Sequence, residues 1–162
     1  MIPADLGIAR VRYIEPRDHA AYVALEKDEE TKRYVGGPSM KTEEMLFSNL
    51  RQYQPSTDIM AIADPSSDAF IGRCGFLVDI LAQEGEIYCL LVKDWRRKGI
   101  GRIIVPFLVQ LARNSRLRTV GYVAPANLAS LALMSNLGMV ATGTKTGGKQ
   151  DGHIRYVLDA PV

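Results

Sequence analysis

The feature that most constrains the fold is a strand, a basic loop with glycines and a helix in direct succession. Glu86–Val92 predicts a buried β-strand, because Ile87–Leu91 is apolar throughout. A helix is predicted over 99–114, where apolar residues recur at helical spacing and form one face. Between these elements lie Gly99, Gly101 and the densest positive charge of the chain, from Lys93, Arg96, Arg97 and Lys98. Such a succession places a charged loop at the end of a buried strand.

This loop has the components of an anion-binding site. The amino terminus of a helix exposes unpaired N–H groups and carries partial positive charge, so it binds phosphate well. Gly99 and Gly101 would let an anion approach the backbone, and the neighbouring basic side chains would attract it. The alternative is a solvated basic loop that precedes a helix without binding a ligand, because short glycine motifs often match by chance. The loop by itself leaves both interpretations open.

The rest of the chain predicts an α+β fold, with strands and helices assigned from apolar periodicity and turns from glycine and proline. A chain of 162 residues is long enough for one core, so we expect a single domain over 1–162. We expect a mixed, mostly antiparallel central sheet of about seven strands flanked by about four helices. The predicted strands are Ile8–Ile14, Ile59–Ala63, Ala69–Ile80, Glu86–Val92, Arg118–Ala124, Met139–Thr144 and Ile154–Leu158; the predicted helices are Arg17–Glu30, Thr42–Tyr53, Gly99–Asn114 and Leu128–Leu137.

Composition limits the class of protein. Hydrophobic residues make up 47% and charged residues 23% of the chain, as in soluble globular proteins. A net charge of +2 is too small to predict a nucleic-acid partner, which needs a concentrated basic face. Cys74 and Cys89 lack metal-ligand spacing and predict buried free thiols in a reducing compartment. No apolar run reaches about 18 residues, and the amino terminus does not resemble a secretory signal. We therefore expect a cytoplasmic protein without a membrane partner; a homodimer is left open.

Three stretches resemble one family. Arg96–Gly101 is similar to the R/Q-x-x-G-x-G/A signature of the GNAT superfamily of acyl-CoA-dependent N-acyltransferases. Asn127–Ser130, followed by Asn136–Met139, resembles the N-x-x-S and L-G-F segments of that family. A third resemblance is to the branch that contains the ribosomal-protein N-terminal acetyltransferases, and it is carried by Arg12–Ile14, Arg33–Pro38 and Thr42–Glu44. The three stretches occur in the order that the family has.

The resemblance implies an acetyltransferase. Its cosubstrate would be acetyl-CoA, and the acetyl group would pass to a primary amine by direct attack in a ternary complex, with no metal. The acceptor would be a protein N-terminus, a lysine or a small-molecule amine. In the family the glycine loop binds the diphosphate of the cofactor and the preceding strand pairs with its pantetheine arm. The implied cofactor-binding residues are Leu91, Val92, Arg96, Arg97, Lys98, Gly99, Ile100, Gly101, Arg102, Asn127 and Ser130.

The resemblance also implies catalytic groups on the strand before the loop. Glu86 would be the base that removes a proton from the amine, often through water. Glu84, expected in the preceding turn, is the alternative base. A backbone amide of Leu90 or Leu91, at a bulge where the strand leaves its neighbour, would stabilise the oxyanion. The interpretation without catalysis is that Glu86 is a polar strand-end residue that faces solvent.

One residue departs from the family pattern. Many members have a tyrosine in the helix after Asn127 that protonates the leaving thiolate, but the matching position here is Met134. Tyr88, Tyr122 and Ser135 are the alternative donors. Because a thiol has a pKa near 8.5, a donor helps without being indispensable at neutral pH. The departure motivates a second hypothesis, a non-catalytic acyl-CoA-binding module.

Three further features are assigned to structure rather than to chemistry. Gly143–Lys149 nearly fits the nucleotide-binding pattern G-x-x-x-x-G-K-[S/T], but Gln150 occupies the Ser/Thr position and a strand follows. A β-hairpin turn over Gly147–Gly152 is therefore predicted. Cys89 has no histidine nearby in the sequence and predicts a buried thiol. His153 is expected to be a surface residue at the start of the last strand.

Overall fold

The computed structural model describes residues 1–52 and 55–159, and these contain eight strands and five α-helices. The strands are β1 (Ala4–Asp5), β2 (Arg10–Tyr13), β3 (Met60–Ala63), β4 (Phe70–Asp79), β5 (Glu84–Leu91), β6 (Arg118–Val123), β7 (Val140–Thr144) and β8 (Ile154–Leu158). The helices are α1 (His19–Lys27), α2 (Glu29–Lys32), α3 (Glu43–Gln52), α4 (Gly101–Asn114) and α5 (Leu128–Asn136). Tyr53, which the sequence assigned to the second helix, lies outside the described residues.

The strands form one sheet in the order β1-β2-β3-β4-β5-β6-β8-β7. Neighbouring strands are antiparallel except for β5 and β6, which are parallel. The α+β class and the mostly antiparallel sheet are therefore confirmed, with one strand and one helix more than predicted. The additional strand, β1, has two residues and is too short for periodicity to reveal.

The additional helix arises because the helix predicted over Arg17–Glu30 is divided. A short 3₁₀ helix over Pro16–Asp18 leads into α1, and the backbone is extended at Asp28 (φ −74°, ψ 116°). The Asp28 carboxylate accepts a hydrogen bond from the backbone N–H of Thr31 at 2.6 Å. Aspartate in this role caps the start of a helix, so α2 begins anew after it.

Helices cover both faces of the sheet. α4 packs against β4, β5 and β6, and its side chains Ile104, Leu108 and Ala112 have no exposed surface. Side chains alternate between the faces of a strand, so Ile87, Cys89 and Leu91 belong to the core around α4 and their neighbours on β5 face the other way. A second cluster joins α1 and α3 and contains Tyr22, Val23, Leu46, Leu50 and Ile59.

The hairpin predicted at the end of the chain is confirmed. β7 and β8 are antiparallel, with Val140 opposite Val157 and Thr144 opposite Ile154. A 3₁₀ helix over Gly148–Gln150 lies in the connecting loop. A strand thus follows the near-match to the nucleotide-binding pattern, which needs a helix there. In the described part of the chain, no helix has the length and apolar character to cross a membrane.

Candidate active site

A gap opens in the sheet where β5 and β6 diverge. Their pairing is limited to Glu84–Glu86 against Arg118–Val120, although β5 continues to Leu91 and β6 to Val123. On its other edge β5 pairs with β4 as far as Leu91. Backbone groups of β5 that point towards β6 beyond Glu86 therefore lack a partner strand. An extended ligand chain can bond to this edge as another strand would.

The register decides which amides face the gap. The N–H of Val92 donates to the carbonyl oxygen of Ile71 at 2.9 Å, so these two residues form a hydrogen-bonded pair. Such pairs alternate along antiparallel strands, and the Leu90 amide therefore also points to β4, whereas the Leu91 amide points into the gap. The register between β4 and β5 has no shift, so the bulge implied by the resemblance is not found in these two fully described strands. Of the two amides left open by the sequence, Leu91 faces the gap.

The basic glycine loop follows β5 directly. A 3₁₀ helix occupies Lys93–Trp95, and Arg97 and Gly99 then have φ values of +61° and +81°. Residues in this left-handed region cannot continue a helix, so α4 begins at Gly101 rather than at Gly99. The predicted helix start is therefore wrong by two residues.

Five consecutive amides of this loop are available to a ligand. The N–H groups of residues 97–101 have no acceptor among the described residues, and the N–H of Arg102 donates to the carbonyl oxygen of Gly99 at 3.0 Å. A Cβ atom at Gly99 would have Ile8 Cδ1, at 3.9 Å, as its nearest neighbour, so the space beside Gly99 is open. Ile100 itself is buried in the core and anchors the loop. Unpaired amides before a fourteen-residue helix suit an anion.

The basic side chains of the loop divide into two groups. Arg96 donates from Nε to the carbonyl oxygen of Leu91 at 3.1 Å, and its guanidinium contacts Glu30 at 3.3 Å and the hydroxyl of Thr31. Lys93 pairs with Glu30 at 2.9 Å. These two residues bind α2. Within the described residues Arg97, Lys98 and Arg102 form no ion pair, and all three are exposed.

Glu86 lies in a pocket on the face of the sheet opposite α4. The pocket has a volume of about 240 Å³ and is lined by Leu77, Val78, Asp79, Glu84, Glu86, Val120, Tyr122 and Lys145. Glu86 is partly buried, and its Oε1 accepts a hydrogen bond from Gln150 Nε2 at 3.2 Å. The other carboxylate oxygen of Glu86 is not engaged by any described residue. One oxygen of this carboxylate is therefore available to a ligand in the pocket.

Glu84, the alternative base, lies in β5 and not in the turn where the sequence placed it. Its Oε1 is bound by Arg155 at 2.5 Å and by Arg118 at 3.5 Å. The hairpin turn is shorter than predicted because Asp79 and Glu84 still pair across it. Two arginines thus occupy the carboxylate of Glu84, whereas that of Glu86 is contacted only by Gln150 among the described residues.

A model of one protein family matches residues 9–140, and its description is acetyltransferase (GNAT) domain. The match covers most of the chain. The chain belongs to the GNAT acetyltransferase family. It is thus an acetyl-CoA-dependent N-acetyltransferase by family. No curated protein matches it in sequence.

Solved GNAT structures share the fold over almost the whole chain. A spermidine N-acetyltransferase from Vibrio cholerae, solved with CoA and spermine, has a TM-score of 0.80 at 14% identity, over 93% of this chain and 95% of its own. A GNAT acetyltransferase from Bacillus anthracis has a TM-score of 0.77 at 17% identity, over 94% of each chain. The ribosomal-protein-S5-alanine acetyltransferase from Vibrio fischeri has a TM-score of 0.73 at 18% identity, over 98% and 97%. At these identities the similarity concerns the fold.

In this GNAT chain the start of α5 has the cap that the sequence predicted. Asn127 precedes the helix, and its side-chain oxygen accepts a hydrogen bond from the N–H of Ser130 at 3.3 Å. Met134, which stands where many GNAT proteins have tyrosine, is 7% exposed. Its Sδ atom lies 3.3 Å from the position that a Cβ atom at Gly121 would take. Met134 therefore fills the core beside β6 and cannot donate a proton.

One buried ionic cluster was not predicted from the sequence. Glu26 of α1 binds Arg73 of β4 at 2.6 Å and Lys32 of α2 at 2.9 Å. Burial alone would raise the pKa of Glu26, but Arg73 and Lys32 hold it below its usual range. The guanidinium of Arg73 also lies 4.8 Å from the ring centroid of Tyr88. The signal in the sequence was a charged residue, Arg73, in the middle of the apolar stretch 70–78.

Tyr88, one of the alternative proton donors, belongs to this buried cluster. Its hydroxyl donates to the carbonyl oxygen of Asp58 at 2.5 Å. Burial raises the pKa of Tyr88, although Arg73 opposes the change. Ser135 is exposed on α5 and Tyr122 lines the pocket.

Two loops meet beside the pocket. His153 is 8% exposed and not a surface residue as expected, because its Nε2 atom contacts the carbonyl oxygen of Tyr34 at 2.8 Å. A Cβ atom at Gly36 would lie 2.7 Å from Cβ of Lys149, so the backbone approaches that side chain closely. The loop after α2 is thus packed against the loop between β7 and β8. Sequence reasoning missed this contact because 119 residues separate Tyr34 from His153.

Both cysteines are free thiols. Cys74 is buried and Cys89 packs against the main core. Burial raises the pKa of Cys89 to about 12. Cys89 was predicted to be buried but is only partly buried. The thiolate is the reactive form of cysteine, so the raised pKa disfavours a nucleophilic role.

Proposed function

We propose that this GNAT protein, through a single domain over residues 1–162, transfers the acetyl group of acetyl-CoA directly to a primary amine in a ternary complex. The observation that carries the proposal is the gap between β5 and β6, which opens beside the five unpaired amides of residues 97–101. The unpaired amides of the loop suit a diphosphate, and the edge of β5 suits an extended pantetheine arm. The Glu86 pocket adjoins the gap from the other face.

The geometry supports a particular set of cofactor contacts. The diphosphate would bind the amides of residues 97–101, and the exposed side chains of Arg97, Lys98 and Arg102 would add charge. The pantetheine arm would donate to the carbonyl oxygen of Leu91, which can accept a second hydrogen bond beside the one from Arg96 Nε. The N–H of Val92 is already used by Ile71, and the N–H of Leu91 is left for the oxyanion. Arg96 would act indirectly by holding α2 and the Leu91 carbonyl group. Asn127 and Ser130 would contact the cofactor from the start of α5.

The chemistry needs a neutral amine, a stabilised oxyanion and a leaving thiolate. Glu86 would take the proton of the ammonium form of the acceptor, directly or through one water molecule. The Leu91 amide would donate to the developing oxyanion, and such a donor is worth about 3 kcal/mol. The thiolate would leave without help from a tyrosine, because Met134 stands in that position and the thiol pKa is near 8.5.

The acceptor would be a protein N-terminus, a lysine or a small-molecule amine. The names of two structural neighbours, a spermidine N-acetyltransferase and a ribosomal-protein alanine acetyltransferase, support amines of both sizes. The loop after α2 and the loop between β7 and β8 would select among them, since both lie beside the pocket. Two free cysteines support a reducing compartment such as the cytoplasm. No partner other than the acceptor is proposed.

The burial of Met134 at the tyrosine position favours a second candidate, an acyl-CoA-binding module without catalysis. Both candidates predict that acetyl-CoA raises the melting temperature of the protein. Only the first predicts release of free thiol from acetyl-CoA when an amine is added.

The test is thiol release across a panel of N-terminal peptides, lysine peptides and polyamines. Glu86→Gln should lower kcat by about 10²-fold or more because it removes the base, while the Kd for CoA measured by calorimetry stays unchanged. The matched control is Glu44→Gln, which changes an exposed carboxylate at the start of α3. Thiol release by Glu86→Gln at the native rate would contradict the base. Cofactor binding without turnover for any amine would favour the second candidate.

A further inference from the structure

A chain of side-chain contacts leads to Glu86 across the pocket. Lys145 Nζ lies 4.3 Å from the ring centroid of Tyr122 and donates to Gln150 Oε1 at 2.7 Å. Gln150 Nε2 in turn donates to Glu86 Oε1 at 3.2 Å. Tyr122, Lys145 and Glu86 all line the same pocket. The contacts therefore lie inside the region where the acceptor amine would bind.

The backbone holds Lys145 and Gln150 in place. The N–H of Lys145 donates to the carbonyl oxygen of His153 at 2.8 Å, and the N–H of Gly152 donates to the carbonyl oxygen of Lys145 at 2.8 Å. The N–H of His153 donates to the carbonyl oxygen of Gln150 at 3.0 Å. These bonds close the loop between β7 and β8. The loop that nearly matches a nucleotide-binding pattern thus has a different role: Lys145 lines the pocket, and Gln150 bonds to Glu86.

The ammonium group of Lys145 determines which way the Gln150 amide faces. A glutamine amide has an oxygen that accepts and an NH₂ group that donates, whereas an ammonium group only donates. The amide oxygen is therefore drawn to Lys145, and its NH₂ group is left for the carboxylate of Glu86. Without Lys145, the Gln150 amide would be free to rotate. Its oxygen would then face the carboxylate oxygen of Glu86, and the two would repel each other.

We propose that Gln150, oriented by Lys145, is the residue that positions Glu86, a role that rests on the proposed function of Glu86 as base. The hydrogen bond to Oε1 stabilises the charged carboxylate and fixes its rotation. The other oxygen, Oε2, is left to receive the proton of the acceptor amine. Lys145 acts on Glu86 only through Gln150 and through its own charge.

The test is the pH profile of kcat/KM for an amine acceptor at saturating acetyl-CoA, in the native enzyme, Gln150→Leu and Lys145→Met. Both variants remove a contact that stabilises and orients the charged carboxylate of Glu86. The acidic limb of the profile should therefore move to higher pH. The plateau at high pH should also fall, by about threefold to tenfold, because the carboxylate is no longer held in one rotation. The titration of the acceptor amine is common to all profiles and cancels in the comparison.

The matched control is Lys27→Met, which removes the same charge from the exposed end of α1 and should leave the profile unchanged. Thermal melting checks that each variant is folded. Two variants at different positions are used so that the test still holds if one of them does not fold. A native plateau or an unmoved acidic limb in both variants would overturn the positioning role while leaving the proposed function intact. Absence of turnover in the native protein would overturn the proposed function and this inference with it.

Discussion

Two groups of basic residues in this chain have opposite surroundings. In the buried cluster, Arg73 and Lys32 share the carboxylate of Glu26, at 2.6 and 2.9 Å. In the glycine loop the side chains of Arg97 and Lys98 are exposed and form no ion pair with any described residue. Charges that are paired and buried hold elements together, whereas charges and amides left unpaired at a helix start are available to an anion. The number of basic residues therefore does not locate an anion-binding site. What locates it is whether those residues already have partners within the protein.

Arg96 belongs to the loop by sequence, but it has partners within the protein, as Arg73 and Lys32 have. It bonds to the carbonyl oxygen of Leu91 and to two residues of α2, Glu30 and Thr31. In the family signature it counts as a cofactor-binding residue. Its contacts here indicate that it shapes the loop and joins it to the helix beside it.

The largest expected effect is on the paired group. Glu26→Ala would leave Lys32 and Arg73 buried without their common partner, and side chains that are 9% and 16% exposed cannot reach water freely. Breaking such a pair typically lowers the free energy of unfolding by about 3 kcal/mol. Urea denaturation measures the change. Glu29→Ala, at an exposed position of α2, is the control; a loss below about 1 kcal/mol for Glu26→Ala would show that the cluster is not structural.

The next effect is on the unpaired group. Gly99→Val places a branched side chain at φ +81°, where it is strained, and in the open space proposed for the diphosphate. The Kd for CoA should rise at least about tenfold, with about 1–2 kcal/mol lost from the free energy of unfolding. Calorimetry measures the first and urea denaturation the second.

Gly101→Ala is the control for this comparison. The nearest atom to an added Cβ is Leu133 Cδ2 at 4.0 Å, and the backbone at Gly101 is helical. Affinity for CoA should therefore stay within about twofold to threefold, because alanine also favours the helix. Equal losses in both variants would indicate that the conformation of Gly99 is not what admits the ligand.

The smallest expected effect is a difference between variants of two neighbouring arginines, Arg96 and Arg97. Arg97→Ala should weaken CoA binding by about threefold to fivefold at low salt and less at high salt, since its exposed charge is screened. Its melting temperature should not change. Arg96→Ala should instead lower the melting temperature, because it removes contacts to Leu91, Glu30 and Thr31. If the two variants behaved alike, the division of the loop into structural and ligand-facing residues would be wrong.

Local patterns were sufficient to predict much of the fold. The apolar spacing of α4, the cap of α5 at Asn127 and the final hairpin depend on residues that are close in sequence. The resemblance to GNAT proteins followed from short motifs in the right order, and the family match confirms it. One prediction that was wrong, the placement of Glu84 in a turn, depends on pairing between strands. Glu84 lies in a strand because its pairing with Asp79 and Arg118 extends β5 past the expected turn.

Several residues of the candidate site were predicted from the sequence, but the contacts between them were not. Glu86 and the glycine loop were found from the sequence, whereas Gln150 and Lys145 were dismissed with a rival motif. Gln150 reaches Glu86 across 64 positions of the chain. His153 was expected at the surface, but a loop from the first quarter of the chain covers it.

By itself, the amino-acid sequence determined the kinds of elements, their order and the presence of a glycine-bearing helix start, because these depend on periodicity and backbone freedom over a few residues. Only the tertiary structure decided that the Leu91 amide faces the gap, that Arg96 is occupied and that Gln150 touches Glu86. Each of these depends on strand register or on contacts between distant segments. No local pattern encodes such contacts, since they form only when the whole sheet and its covering helices are in place.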